Sequence, residues 1–327
     1  MEKMPSILEN TLRIKVTGKC NRKCSFCHEE GGMSDIYDIA YSEELKTIVN
    51  LFHDELGINS IALTGGEPLM HDSLYDFIMQ INNNSKVHRF SLTTNGTITK
   101  DFDYWLAFNE IGLYKVNVSM PDIIEFQNYT SKDKLVEDVF FGQTKLVSIL
   151  NKIGIETKIN IVIFNDVLFT KNNIAKLLHF RDTLDSEIVL LPNLNSPESF
   201  AYSQKVIDVL RSDMRLKKIE SRRRPGTSNS IEIYRDNNGD EDGKTIYIKS
   251  TKLDDGNPYR PDSLCGKCNI RKFCQEGFYG IRLESSQERL LIRLCIHKSS
   301  SDVLMPVDDF IESSVYKELK AVWSENK

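Results

Sequence analysis

The stretch Leu12-Arg13-Ile14-Lys15-Val16-Thr17-Gly18-Lys19-Cys20-Asn21-Arg22-Lys23-Cys24-Ser25-Phe26-Cys27 decides how the rest of the chain is read. Its first part, Leu12 to Val16, is a short apolar-rich run that predicts a strand. Its second part is a cysteine triplet with the spacing C-x3-C-x2-C. Three thiolates on one short loop can grip three corners of a cubane iron–sulfur cluster and leave the fourth iron open. A closed zinc site needs a fourth ligand. His28 is the neighbouring candidate, but it follows Cys27 so directly that a tetrahedron would be tight. Ligand count and spacing therefore favour a cluster over structural zinc or thiols buried in an ordinary core.

The remaining cysteines stand far away. There are seven in all, at 20, 24, 27, 265, 268, 274 and 295, in a chain of 327 residues. That is one large domain or two moderate ones at roughly 100–200 residues per domain, with no need of disulfide staples. The opening MEKMPSILEN has no apolar core of a signal peptide, and no stretch approaches the length of a membrane span. The expected setting is the reducing cytoplasm, where clustered cysteines point to metal or catalysis. Lys plus Arg is 42 against 47 for Asp plus Glu, a net charge of −5. Such a balance excludes a general nucleic-acid or membrane-surface binder.

Downstream, strands and helices alternate. Expected strands are Leu12–Val16, Ser60–Leu63, His88–Thr94, Tyr114–Val118, Glu156–Ile163 and Glu187–Leu191. Expected helices lie near 42–56, 73–82, 134–153 and 171–178, with one more between Gly96 and Tyr114. Six such units in succession imply an α/β fold with parallel strands and crossover helices. The unusual groups fall at strand C-termini: the triplet, Gly65-Gly66-Glu67-Pro68, Thr94-Asn95-Gly96 and Ser119-Met120. In barrel-type α/β folds that rim carries the site.

The triplet with Phe26 as its aromatic, followed by Gly65-Gly66-Glu67-Pro68 on the next strand, resembles the combined signature of the radical S-adenosylmethionine (SAM) enzymes. The resemblance implies a partial (β/α)6 TIM-type barrel. It implies that Cys20, Cys24 and Cys27 hold a [4Fe–4S] cluster whose open iron chelates the amino and carboxylate groups of SAM. Gly65, Gly66 and Glu67 would meet the SAM amino group, and Thr94, Asn95, Ser119 and Asn160 are the further cofactor-side candidates. The family chemistry is reductive cleavage of SAM to a 5′-deoxyadenosyl radical, which abstracts hydrogen from the substrate. The implied reductant is flavodoxin or ferredoxin. Within the family, the chain resembles the molybdenum-cofactor GTP 3′,8-cyclases over about residues 11–195. The likeness is carried by the opening strand, by Lys115-Val116-Asn117-Val118-Ser119 and by Lys158-Ile159-Asn160 with Val162 and Asn165-Asp166. There an arginine at the position of Arg13 contacts substrate phosphate; Lys158 and Arg282 are the other substrate candidates.

The second group reads Cys265-x2-Cys268-x5-Cys274-x20-Cys295. Its spacing alone fits a tetrahedral zinc site or a cluster with four protein ligands. The family resemblance implies the second, an auxiliary [4Fe–4S] cluster in an extension of the SPASM or Twitch type. The expected division is a barrel over 1–215 and this extension over 216–327. The cyclases use three cysteines here, so Cys274 sets this chain apart, as does Gly280 where they have a second arginine. Between the two groups, a helix expected over 199–216 runs into Arg215, Lys217, Lys218, Arg222, Arg223 and Arg224. The reading preferred for them is a solvated helix end, with an anion site as the alternative. Residues 230–235 with 244–250, and 279–283 with 290–295, read as hairpins. The acid-rich turn 236–243 is no EF-hand, because Glu241 stands where that loop needs Gly. Residues 307–323 read as one amphipathic helix. The expected substrate is a small nucleotide, nucleoside or sugar-like molecule; the other readings are a peptide-modifying maturase and a non-catalytic iron–sulfur sensor.

Overall fold

The computed structural model describes residues 6–24, 26–27, 37–121, 134–163, 170–194, 198–212, 214, 216–235, 245–251, 256–286, 289–298 and 300–324. His28, Asn165-Asp166, Arg215 and the acid-rich turn lie outside them.

Six parallel strands form the centre: β2 (Thr11–Thr17), β3 (Ser60–Gly65), β4 (Phe90–Thr94), β5 (Leu113–Ser119), β6 (Glu156–Ile163) and β7 (Glu187–Pro192). They pair in that order. Between them run α1 (Glu43–Leu56), α2 (Leu74–Asn84), α3 (Phe102–Glu110), α4 (Lys134–Ile153) and α5 (Lys171–Leu184). The first helix shows how local chemistry sets the elements. Ser42 accepts the Leu45 N–H at its start, and Gly57 ends it in the left-handed conformation at φ 63°. Leu45, Ile48, Val49, Phe52 and Leu56 form the buried stripe.

Period-two alternation in the strands builds two faces. Leu12, Ile14 and Val16, Ile61 and Leu63, Phe90 and Leu92, Val116 and Val118, Ile159 and Ile161 belong to the main apolar core. The alternate positions Arg13, Thr64, Thr93, Asn117 and Asn160 line a polar lumen instead. This is the expected parallel α/β arrangement, and the lumen is where its site sits.

The later elements lengthen both edges of the same sheet. After α6 (Glu198–Ser212), β8 (Lys217–Arg223), β9 (Ser230–Arg235) and β10 (Thr245–Ser250) follow, and β10 lies parallel to β7. The short β1 (Ser6–Ile7) closes that side against β8. At the other edge β11 (Arg282–Ser286) lies parallel to β2 and forms an antiparallel hairpin with β12 (Arg289–Arg293), which pairs with β13 (Leu304–Pro306). The full order is β1-β8-β9-β10-β7-β6-β5-β4-β3-β2-β11-β12-β13. A short helix, α7 (Asp262–Cys265), begins the second cysteine loop.

Two expectations need correction. The basic run is not a helix end: α6 stops at Ser212, and Lys217–Arg223 is a strand. Its cations meet carboxylates of the sheet, Lys218 with Glu232 at 2.9 Å and Arg222 with Glu220 at 3.0 Å. A cross-strand partner and the backbone ladder outweigh the weak dipole term. The C-terminal helix is two helices, α8 (Val307–Glu312) and α9 (Ser314–Ser324). Ser313 breaks it by turning extended and accepting the Tyr316 N–H on its own hydroxyl. Trp323 then anchors the end, fully buried, with its indole N–H on the Pro225 carbonyl.

Candidate functional site

One cavity of about 1060 Å³ runs along the lumen. Cys20, Cys24, Cys27 and Phe26 line it together with Gly65 and Gly66. Cys20 and Cys24 are half-buried and Cys27 is exposed. Backbone bonds shape their loop: Cys27 N–H donates to the Cys24 carbonyl at 3.1 Å, and Arg22 N–H donates to the Cys20 sulfur at 3.4 Å.

The end of β3 is stitched to that loop. Gly66 N–H donates to the Thr17 carbonyl and Glu67 N–H to the Lys19 carbonyl, at 3.0 and 2.8 Å. A Cβ on Gly66 would collide with the Lys19 carbonyl oxygen and stand 3.0 Å from Cys20 Cβ. The glycine is needed for close approach rather than for an unusual backbone angle. Gly65 needs both, with φ at +139°.

Glu67 and Pro68 do not line the cavity among the described residues. The Glu67 carboxylate turns into the protein. It accepts the Thr94 hydroxyl at 2.7 Å, the Asn95 N–H at 2.6 Å and the Leu69 N–H at 3.1 Å. Burial pushes its pKa up, partly offset by those donors. The side chain thus ties the end of β3 to the end of β4. Because the folded pKa is raised, stability falls as pH rises from the ordinary carboxylate range through the raised value. Glu67→Gln is expected to remove that slope in pH-dependent denaturant titrations. It should also cost ~1–3 kcal/mol, since an amide cannot accept all three donors. An unchanged slope would show that another group sets it.

A hydrogen-bond belt continues around the rim. Asn95 donates through Nδ2 to Asn21 in the cysteine loop at 2.9 Å, and its Oδ1 accepts from Thr97. Gln143 of α4 donates to the Asn95 and Ser119 carbonyls at 2.7 and 3.0 Å. The cavity also touches Thr94, Asn95, Ser119 and Asn160. Asn95 therefore has its side chain engaged in holding the rim.

Residues 14–178, half of the chain, match the radical SAM superfamily. The chain belongs to that superfamily. A GTP 3',8-cyclase of Clostridium perfringens (strain SM101 / Type A) is 27% identical over 294 residues, covering 83% of this chain and 82% of that protein. A probable GTP 3',8-cyclase of Methanothermobacter thermautotrophicus is 36% identical over 161 residues, 48% of this chain and 49% of that protein. The solved structure of native anSMEcpe with bound AdoMet shares the fold, with a TM-score of 0.58 at 19% identity over 94% of this chain and 82% of that one.

As a radical SAM enzyme the chain uses a [4Fe–4S] cluster and SAM. The residues present fit them: three thiols share one cavity wall, and the backbone beside them has no side chain at Gly65 and Gly66. No helix among the described residues is long and apolar enough to cross a membrane.

The inner part of the radical SAM cavity gathers cations. Arg13 and Arg282 are register partners on β2 and β11. Lys158 is also on the wall, but it is committed to carboxylates, Glu187 at 2.9 Å and Glu156 at 3.3 Å, with Tyr247 beneath it at 3.9 Å from the ring centre. Two further cations line the cavity: Lys249, which sequence reasoning missed, and Arg224, which it weighed only within the basic run, where an anion site was the alternative reading. Lys249 lies over the Tyr279 ring at 5.0 Å and has no carboxylate partner among the described residues. Arg224, only 7% exposed, donates Nε and a terminal NH2 to the Glu9 carbonyl, at 3.1 and 2.8 Å. Burial, with Arg13 adding to it, pulls its pKa down to about 10, so it stays charged at neutral pH. Alternation in β10 marks Lys249 as a lumen position; nothing in the local pattern marks Arg224 among its basic neighbours.

In the second cysteine group, Cys268, Cys274 and Cys295 lie within electrostatic reach of Cys265. Cys265 is pushed up to about 11 by burial first, then by the charges of Cys274, Cys268 and Cys295. The Cys274 sulfur accepts the Gly277 N–H at 3.3 Å, and the Cys295 sulfur accepts the His297 N–H at 3.4 Å. Among the described residues no group of three or more histidine, cysteine or carboxylate side chains is arranged to hold a single metal ion. A cubane takes its thiolates on separate irons, so its ligand shell is wider than that of one zinc.

Proposed function

We propose that this radical SAM enzyme abstracts hydrogen from a small anionic metabolite, of nucleotide, nucleoside or sugar-like type, with an auxiliary [4Fe–4S] cluster on Cys265, Cys268, Cys274 and Cys295. The observation that carries it is one cavity joining the three-cysteine rim to Arg13, Arg224 and Lys249. Bound at Cys20, Cys24 and Cys27, the first cluster with SAM supplies the 5′-deoxyadenosyl radical. The chain's own residues do the rest. Gly65 and Gly66 leave room at the rim, and Glu67 and Gln143 hold that rim in place. The inner cations fix the substrate's anionic part, so a carbon of its body faces the rim.

Residues 1–215 act as the barrel and 216–327 as the extension that supplies Arg224, Lys249 and Arg282 to it. The cyclase relatives support a nucleotide-like substrate, and a flavodoxin or ferredoxin is the reductant expected for this chemistry. A peptide substrate remains the competing arm of the test.

Anaerobic reconstitution with SAM and dithionite tests the reading. 5′-Deoxyadenosine should form, and anionic metabolites such as nucleotides should accelerate it. No 5′-deoxyadenosine would overturn it, and acceleration by peptides alone would move the assignment to the maturase class. Replacing Lys249 with Met and Arg224 with Gln together should raise KM for the accelerating anion by ~10-fold or more, the loss of charge-assisted contacts of about 1.5–3 kcal/mol. Uncoupled SAM cleavage should be little changed.

A further inference from the structure

Glu276 follows Cys274 by two residues, is 1% exposed and lines the cavity. Its Oε1 accepts a terminal N–H of Arg282 at 3.0 Å. Its Oε2 lies 3.8 Å from Nε2 of His297, whose backbone N–H donates to the Cys295 sulfur. Arg282 is 3% exposed, opens β11 and stands beside Arg13 in the lumen. One buried carboxylate thus touches the cavity wall on one side and the Cys295 turn on the other. A buried ion pair adds little stability over apolar residues of similar volume, so stability alone does not explain it.

We propose that Glu276 and Arg282 set the reduction potential of the cluster held by Cys265, Cys268, Cys274 and Cys295, Glu276 lowering it and Arg282 raising it. This rests on the auxiliary-cluster reading above. A fixed negative charge in a poorly screened interior opposes the arrival of an electron, and a fixed positive charge favours it. Because Arg282 also faces the lumen, a ligand that draws it away from Glu276 changes the field at the cluster. Glu276 is a positioning and tuning residue in this scheme.

The test uses the full chain with Cys20, Cys24 and Cys27 changed to Ala, so that only the second cluster forms. After reconstitution the parent should hold about four irons per chain, and its potential is read by an EPR-monitored redox titration. Glu276→Gln, which keeps an acceptor for Arg282, should move the potential up. Arg282→Gln should move it down, and Glu276→Asp should stay near the parent. Potentials that do not move, or that move the same way for Glu276→Gln and Arg282→Gln, overturn the inference while the iron-loaded parent upholds the cluster. If the Arg282→Gln chain does not hold iron, Glu276→Gln paired with Arg282→Met replaces it and should lie below Glu276→Gln alone. An iron-free parent instead overturns the cluster reading, and the inference with it.

Discussion

Gly66→Ala should destroy the first cysteine site while leaving the rest of the fold in place. The added Cβ would run into the Lys19 carbonyl oxygen, with the carbonyl carbon at 2.7 Å and Cys20 Cβ at 3.0 Å. The neighbours are backbone or close to it, so no flexible side chain can swing aside. Nor can Gly66 retreat, because its N–H is bound to Thr17 and the next N–H to Lys19. The segment bearing Cys20 must move. A shift near 1 Å at a reacting centre costs on the order of 100-fold in rate. With the two clusters proposed above, iron should fall from about eight to about four per chain, the content of one cubane, and 5′-deoxyadenosine formation should be lost. Gly154→Ala is the control: it has open space around its Cβ position but φ +88°, so only a modest stability loss is expected. Full iron content and activity in Gly66→Ala would refute the close-approach account.

Arg293→Ala should be the most destabilising single change in the extension. Arg293 and Glu284 form a buried two-armed pair on the β11–β12 hairpin, at 2.9 and 2.8 Å, and both are nearly inaccessible. Arg293 also donates to the Lys298 carbonyl at 3.0 Å, which holds the turn after Cys295. Alanine leaves the Glu284 carboxylate buried without that partner, a cost of ~3–5 kcal/mol. Thermal unfolding should start earlier, and the irons of the proposed second cluster should be lost before those of the first. Glu284→Gln with Arg293→Met should recover most of the stability, since a neutral pair carries no stranded charge. If Arg293→Ala matched the parent in melting and iron content, the pair would have no structural weight.

Much of the barrel was legible because its signals are local. Each parallel strand and its helix announces itself by period and by caps such as Ser42 and Gly57. The motif residues at strand ends were legible for the same reason. Errors arose where local pattern was ambiguous. Basic residues 217–223 suit a helix end or an edge strand, and pairing with β9 decided the matter. Residues 307–323 read as one helix because Ser313 is compatible with helix until its hydroxyl finds the Tyr316 N–H.

Sequence alone marked the rim residues Cys20, Cys24, Cys27, Gly65 and Gly66, because they fall in two short motifs at the ends of neighbouring strands. It also grouped the later four cysteines by spacing. Only the tertiary structure decided what faces the lumen from afar. Arg224 reaches the Glu9 carbonyl across 215 residues, and Arg282 becomes the neighbour of Arg13 only when β11 docks on β2. It likewise turned Glu67 and Lys158 toward protein partners. The physical reason is that burial and the pairing of charges depend on which surfaces the sheet brings together, and that information is carried by no single segment.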